Sequence, residues 1–495
     1  MGTRPPNIVI FMPDEQRADC AGFMGNNVIQ TPVLDKFAND HSGFSNFFVN
    51  NPVCTPSRIA MFTGWYPHVR GHRTLWNLLR PDEPNLFRYL KEGGYHVEAW
   101  GKNHLLSEES ISDSVDHWGT IEFDRTRIPT NRWTKDDKWY NTFYFGERPA
   151  EMSTNTADAD TLRIEGALNF LRSTPSEPFC LYIPLLFPHS PYWVEEPYFS
   201  LHNRKAVPPP LPANHEGKPK YYSDIHQSYG IDKLSEDDLR ELRATYYGMC
   251  SRVDDQFGEL INTLHEEHLW DNTAIFYLSD HGAYDGDYGL VEKWPSGFED
   301  CLIRSPLAIR VPGIDAQPTN NTLCQTIDLT PTILDIAGIK LKHDQYGQSL
   351  LPLIKGDLDT LRDAVYCEGG HNRHEVQAFE LKQTAPSDDY YAYEKFRIQT
   401  ENRNSVCKSS MIRTIDWKYI HRTHDTDELY HLSSDPGEQT NLIDRPKHHR
   451  IQQELSQRLL SWFVETSDVV PSDRDSHNPE AASIDSYTTE NQPNE

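Results

Sequence analysis

Asp14 and Glu15 follow one apolar run of this chain, Lys102 and His104 a second, His189 a third, and Asp280 and His281 a fourth. Brought to one place, Asp14, Glu15 and Asp280 repel one another unless a cation sits between them. Their oxygen donors suit a hard ion, calcium or magnesium, and His281 as a nitrogen donor admits manganese or zinc. The other reading of these acids is simple pairing with Lys102 or Lys293. A further candidate is Cys54, which opens CTPSRIAMFTG (54–64). Thr55 is placed as a helix N-cap, Pro56 as the first helical residue and Gly64 as the exit. A helix N-terminus lowers a thiol pKa, and its free N–H groups also receive anions. With Arg58, Lys102, Lys293, His104 and His189 alongside, the residues allow two readings. One is a reactive thiolate; the other is an anion pocket whose cysteine is modified.

Such groups need a scaffold that delivers them to one edge. NIVIFM (7–12), YHVEAW (95–100), FCLYIPLLF (179–187), TAIFYLS (273–279) and PLAIRV (306–311) read as buried strands of a parallel sheet. Helical signals lie between them. One helix starts at Thr31 with Pro32 behind it, another fills TADADTLRIEGALNFLRS, and a long amphipathic one is capped at Ser235. The alternation predicts an α/β fold, a large, mainly parallel sheet sandwiched by helices. Ligands of such sheets bind beyond the carboxyl ends of the strands, where the candidate residues fall. After about residue 366 the pattern changes to a small antiparallel sheet, followed by a helix with Ile451, Leu455, Leu459 and Phe463 on one face. The expected organisation is a catalytic α/β unit over 1–365, an α+β subdomain over 366–466 that completes the site's rim, and an acidic, disordered tail over 467–495.

The 495 residues carry a net charge of -27, which argues against nucleic acid as a partner. No apolar run is long enough to span a membrane, and the start MGTRPPNIVIF does not read as a signal peptide. Most of the eight cysteines, which form no CxxC pairs, read as reduced core thiols, so the expected compartment is the cytoplasm, with a removed leader left open. Aromatic residues crowd three loop regions, 117–147, 190–230 and 371–400. Among them Trp193 is a candidate substrate contact, since ring faces beside cations seat sugars or quaternary ammonium groups. The alternative is that these rings pack the loops down.

Taken together, the motifs resemble the type I sulfatases of the alkaline phosphatase superfamily. The resemblance rests on Cys54-Thr55-Pro56-Ser57-Arg58 with Thr63-Gly64, on Gly101-Lys102-Asn103-His104, and on Pro188-His189-Ser190-Pro191. Ser279-Asp280-His281-Gly282, the downstream Lys293 and the late DELYHLSSDPGEQTNL complete it. It implies an alkaline-phosphatase-like fold and hydrolysis of a sulfate monoester of a carbohydrate or other small organic molecule. It also implies that Cys54 is oxidised to formylglycine, whose hydrate attacks sulfur with one hydroxyl and expels sulfate with the other. On the same basis Asp14, Glu15, Cys54, Asp280 and His281 hold one divalent metal, calcium first. Asp280 is the base, Arg58 orients the nucleophile, and Lys102 and Lys293 steady the sulfuryl oxygens. His104 takes the proton on collapse, and His189 or Lys293 protonates the leaving alcohol. Lys102, His189, Lys293 and Trp193 are the expected substrate contacts. A formylglycine-generating enzyme is the implied maturing partner, and a homo-oligomer is left open. His281 stands where many members carry asparagine, and an Asp-His pair also occurs in choline sulfatases and phosphonate monoester hydrolases. A phosphonate monoester or phosphodiester hydrolase is therefore the alternative enzyme, and an inactive anion- or glycan-binding relative the alternative from another class.

Overall fold

The structure is a computed structural model that describes residues 5–119, 131–149, 158–173, 178–315, 320–375 and 386–470. Its strands are β1 (Asn7–Met12), β2 (Ser42–Phe48), β3 (His96–Trp100), β4 (His117–Gly119), β5 (Tyr144–Glu147), β6 (Phe179–Pro184) and β7 (Tyr192–Val194). They continue with β8 (Thr273–Leu278), β9 (Arg304–Arg310), β10 (Cys324–Gln325), β11 (Val365–Gly369), β12 (Ser409–Arg413), β13 (Trp417–Arg422) and β14 (Glu428–His431). Eight of these form one sheet in the order β10-β2-β9-β8-β1-β6-β3-β4. β9 runs antiparallel to both neighbours, and the other pairings in the sheet are parallel. That corrects the expectation for 306–311, since an apolar run carries no information about its direction. β2, SGFSNFF, was not anticipated either, because its polar residues break the apolar pattern.

Side chains of successive strand residues point to opposite faces, which explains the two cores. Val9, Phe11, Leu181, Ile183, Ile275 and Tyr277 face the helices Pro32–Asp40, Ala159–Arg172 and Glu236–Glu266. Ile8, Ile10, Met12, Tyr182, Phe276 and Leu278 face Cys54–Thr63, Leu86–Glu92 and Leu329–Ala337. The long helix opens on a capping box in which Ser235 and Asp238 satisfy one another's main-chain N–H groups. β11, β12, β13 and β14 make a separate antiparallel sheet. The helix His449–Glu465 lays Leu455, Leu459 and Trp462 on this second sheet, with Ile451 and Phe463 at the margin. The tail expected to be disordered lies outside the described residues from 471 onward. Among the described residues no helix is long and apolar enough to cross a membrane. All eight cysteines are unpaired, and all but Cys301 are buried.

Candidate active site

The parallel strands β1, β6, β8 and β3 end at one edge, and main-chain bonds tie their exits together. Leu185 N–H donates to the Met12 carbonyl at 2.9 Å, Asp14 N–H to the Phe187 carbonyl at 3.2 Å, and Lys102 N–H to the Pro184 carbonyl at 2.9 Å. The last contact requires Gly101, because a Cβ there would lie 2.0 Å from the Pro184 oxygen. Asn103 braces the same turn by accepting from Leu105 and Leu106, which fixes the loop that carries Lys102 and His104.

Cys54 is itself the first residue of the helix Cys54–Thr63, with Val53 as N-cap, so the helix begins earlier than its Thr-Pro pair suggests. It ends at Gly64 in the left-handed region, as expected. Arg58, one turn in, is wholly buried. Its Nε donates to Asp280 Oδ2 at 2.8 Å, its Nη2 to Asp14 Oδ2 at 2.8 Å and its Nη1 to the Lys102 carbonyl at 3.0 Å. Lys102 Nζ also lies 3.0 Å from Asp14 Oδ2. Burial raises the Asp14 carboxyl, but Lys102 and Arg58 outweigh it and hold Asp14 well below the usual range.

With both Oδ2 atoms taken by Arg58, the two Oδ1 atoms face inward. His281 Nε2 stands 3.7 Å from Asp14 Oδ1, 3.8 Å from Asp280 Oδ1 and 3.1 Å from Cys54 Sγ. His281 Nδ1 lies 2.9 Å from the Gly282 carbonyl, which can only accept, so Nδ1 carries the proton and Nε2 presents its lone pair inward. Burial lowers the His281 pKa and keeps the ring neutral. The ligand atoms of Asp14, Cys54, Asp280 and His281 all lie within 4.8 Å of one another, and all four residues are buried. Three acceptors converging without a charged donor among them fit a divalent cation. Burial, and then the Asp14 carboxylate, push the Cys54 thiol well up. Desolvation of the thiol thus opposes the lowering expected from the helix end.

Glu15 sits in an adjoining group with Asp14 and His189, whose ligand atoms are likewise within 4.8 Å of one another. Its N–H donates to Asp280 Oδ1 at 3.1 Å, and its Oε2 accepts from Lys293 Nζ at 2.9 Å. Oε1 is buried with no hydrogen-bond partner, as suits an oxygen able to take a cation. Burial raises the Glu15 carboxyl to about 8 despite the opposing Lys293 ammonium. Lys293 Nζ also donates to His189 Nε2 at 2.8 Å, and His189 Nδ1 lies 2.6 Å from the Ser190 carbonyl. His189 is thereby fixed with its proton on Nδ1.

Beyond His189 and Lys293 a cleft opens, walled by Arg73, Phe143, His371, Tyr390, Tyr391 and Lys395. The sequence reading missed Arg73, His371, Lys395 and Glu292 here. Glu292 alone had a usable signal, a Glu-Lys pair inside a buried run. Trp193, by contrast, packs outside the cleft lining, with its ring 5.3 Å from the Arg148 guanidinium and 5.7 Å from Phe145. Trp139 on Tyr144, with ring centroids 4.0 Å apart, is loop packing of the same kind.

Fold and site together define an alkaline-phosphatase-like hydrolase. Residues 6–339 match the family model for sulfatases, and residues 369–464 match the C-terminal region of N-sulphoglucosamine sulphohydrolase. The chain belongs to the sulfatase family and is a sulfuric ester hydrolase. It is 25% identical to N-acetylglucosamine-6-O-sulfatase of Bacteroides thetaiotaomicron, over 96% of this chain and 89% of that one. It is 26% identical to human (Homo sapiens) arylsulfatase K, over 92% of this chain and 82% of that one. Among solved structures, the phosphonate monoester hydrolase of Agrobacterium radiobacter superposes with a TM-score of 0.73 at 22% identity, covering 93% of this chain and 96% of that one. A complex with D-glucosamine-2-N,6-O-disulfate superposes with a TM-score of 0.71 at 22% identity, covering 95% and 100%. At that identity the two structures bear on the fold alone.

Proposed function

We propose that this enzyme hydrolyses a sulfate monoester carried on a saccharide, with Cys54 oxidised to formylglycine by a formylglycine-generating enzyme. Asp14, Glu15, Asp280, His281 and the group made from Cys54 would hold one divalent cation, calcium first for its oxygen-rich set. The observation that carries the reading is the buried convergence of Asp14, Cys54, Asp280 and His281 beside the Arg58 guanidinium. The cation would draw charge from the sulfate oxygens, and the oxidised residue would supply the attacking hydroxyl.

The chain's own side chains do the rest. Arg58 holds the two carboxylates with their other oxygens inward, and Asp280 acts as the base for the attacking hydroxyl. Lys102 and Lys293 stabilise charge on the sulfuryl oxygens, and His104, on the loop braced by Asn103, takes the proton on release. Lys293 already shares a hydrogen with His189 Nε2, so this pair protonates the leaving alcohol. The saccharide reading is supported by the tyrosine wall of the cleft and by the relative named as an N-acetylglucosamine-6-O-sulfatase.

A mass spectrum of the peptide spanning Cys54, from protein made in its native host, tests the modification. Replacement of sulfur by oxygen with loss of two hydrogens is expected; an intact thiol overturns the mechanism. Cys54→Ala is expected to lose turnover with its unfolding midpoint preserved. The Asp280-His281 pair, which also occurs in phosphonate monoester hydrolases, favours a second reading, hydrolysis of a phosphonate monoester at the same site. Aryl sulfates and phosphonates of matched leaving group separate the two, and faster turnover of the phosphonate would reverse the order.

A further inference from the structure

Glu292 belongs to no recognised motif, yet it anchors the lysine next to the nucleophile. It is 2% exposed and takes φ 62°, a left-handed conformation that non-glycine residues seldom adopt. Its N–H donates to Tyr192 Oη at 2.9 Å, which pins the main chain against a wholly buried ring. Its Oε1 accepts from Lys293 Nζ at 2.9 Å, and its Oε2 from the Lys293 N–H at 2.7 Å. Oε2 also accepts from Lys395 Nζ at 2.6 Å. Lys395 lies on the helix Tyr393–Glu401, and its side chain is 17% exposed at the cleft wall.

An ammonium has three N–H groups. Those of Lys293 go to Glu15 Oε2, Glu292 Oε1 and His189 Nε2, at 2.9, 2.9 and 2.8 Å. All three hydrogens are therefore directed, and none is left for a ligand until one partner yields. The bond to the Glu292 carboxylate joins opposite charges, whereas His189 is a ring on the cleft wall with no charge to oppose the ammonium. The hydrogen on His189 is thus the one a substrate oxygen can take over.

We infer that Glu292 is a positioning residue. It fixes the Lys293 ammonium so that the hydrogen shared with His189 is presented to the sulfate ester, and Lys395 acts on the reaction only through Glu292. This rests on the reading that Lys293 meets the ester, including its leaving oxygen. The carboxylate stays out of the reaction; its work is orientation, and it couples the helix at the mouth of the cleft to the floor of the site.

The test uses the full-length, matured enzyme with phenyl sulfate and 4-nitrophenyl sulfate, esters that differ in how much their leaving group needs a proton. Glu292→Ala is expected to lower kcat on phenyl sulfate by about 10- to 100-fold, with KM changed far less and metal content intact. The loss on 4-nitrophenyl sulfate is expected to be smaller, a difference that a merely structural role would not produce. Glu292→Gln, of the same shape, keeps one acceptor for Lys293 and is expected to recover part of the loss. Lys395→Met is expected to reduce kcat in the wild-type background and to add nothing to Glu292→Ala, the signature of two residues acting as one unit. Wild-type kcat in both Glu292 variants overturns the proposal. An equal Lys395→Met effect in both backgrounds also overturns it, and assigns Lys395 a direct substrate contact. If the matured wild type turns over neither sulfate yet turns over a phosphonate ester, the sulfate reading falls and takes this proposal with it.

Discussion

Arg58 donates from Nε to one carboxylate and from Nη2 to another, and the side chain sees no solvent. Lysine would keep the charge but not the planar fork that spans Asp14 and Asp280. Arg58→Lys is therefore expected to lower kcat sharply and reduce bound metal, because the two inward oxygens lose their alignment. Arg58→Met should destabilise the fold by about 3–5 kcal/mol, the cost of leaving a buried ion pair one-sided, measured as a loss in the free energy of denaturant unfolding. Asp280→Asn is expected to remove metal and rate together; unchanged metal by elemental analysis would contradict its assignment as a ligand. At this scale the sequence was informative where a motif repeats a chemical necessity, as at Cys54, Arg58 and Asp280. It was silent at Lys395, a lone lysine in a polar stretch whose partner lies about 100 residues away.

At the scale of elements, the local signals at Pro32 and Ser235 held, and of the predicted strands only β9 departed from its expected direction. The cap at Ser235 and the start at Pro32 were legible because caps are made within one turn. Ser235→Ala is expected to cost about 1 kcal/mol, seen as a lower denaturant midpoint at unchanged slope, with kcat unaffected. The antiparallel course of β9 was not legible, because direction in a sheet is set by the connections around a strand. Nor was the fate of Trp193, because an aromatic residue in a loop packs or binds according to what folds over it. The delivery of Asp14, Lys102, His189 and Asp280 to one edge was readable because each closes an apolar run.

Across the whole molecule, the second sheet is tied through His68 to the short helix Pro67–Arg70 and to the end of the C-terminal helix. Glu368 of β11 accepts from the His68 N–H at 2.9 Å, and His68 Nδ1 lies 2.7 Å from the same carboxylate. The other nitrogen of that ring reaches the Thr466 carbonyl at 2.8 Å, just past the C-terminal helix. Ion pairs also set the response to acid. Glu83 lies 3.1 Å from His72 Nε2 and 3.0 Å from Arg80 Nη2. Burial raises its carboxyl, but His72 and Arg80 lower it from the usual value near 4.5 to about 2. A carboxyl depressed by folding stabilises the protein fully above its unfolded value and loses that contribution as pH falls toward its folded one. Stability is expected to fall between about pH 4.5 and 2, and Glu83→Gln should flatten that limb in denaturant titrations taken across it.

The burial of Cys54 has a consequence in time. Every residue of its helix is enclosed, and Glu368 of β11 bonds through its N–H to the Asn50 carbonyl just ahead of the thiol. β11 leaves the ribosome roughly 300 residues after Cys54, a lag on the order of tens of seconds at about 5–20 residues per second. The proposed oxidation of Cys54 is then a race between a modifying enzyme and the closing fold. On that proposal the active fraction would be fixed during synthesis, and slower translation of the intervening segment would raise it.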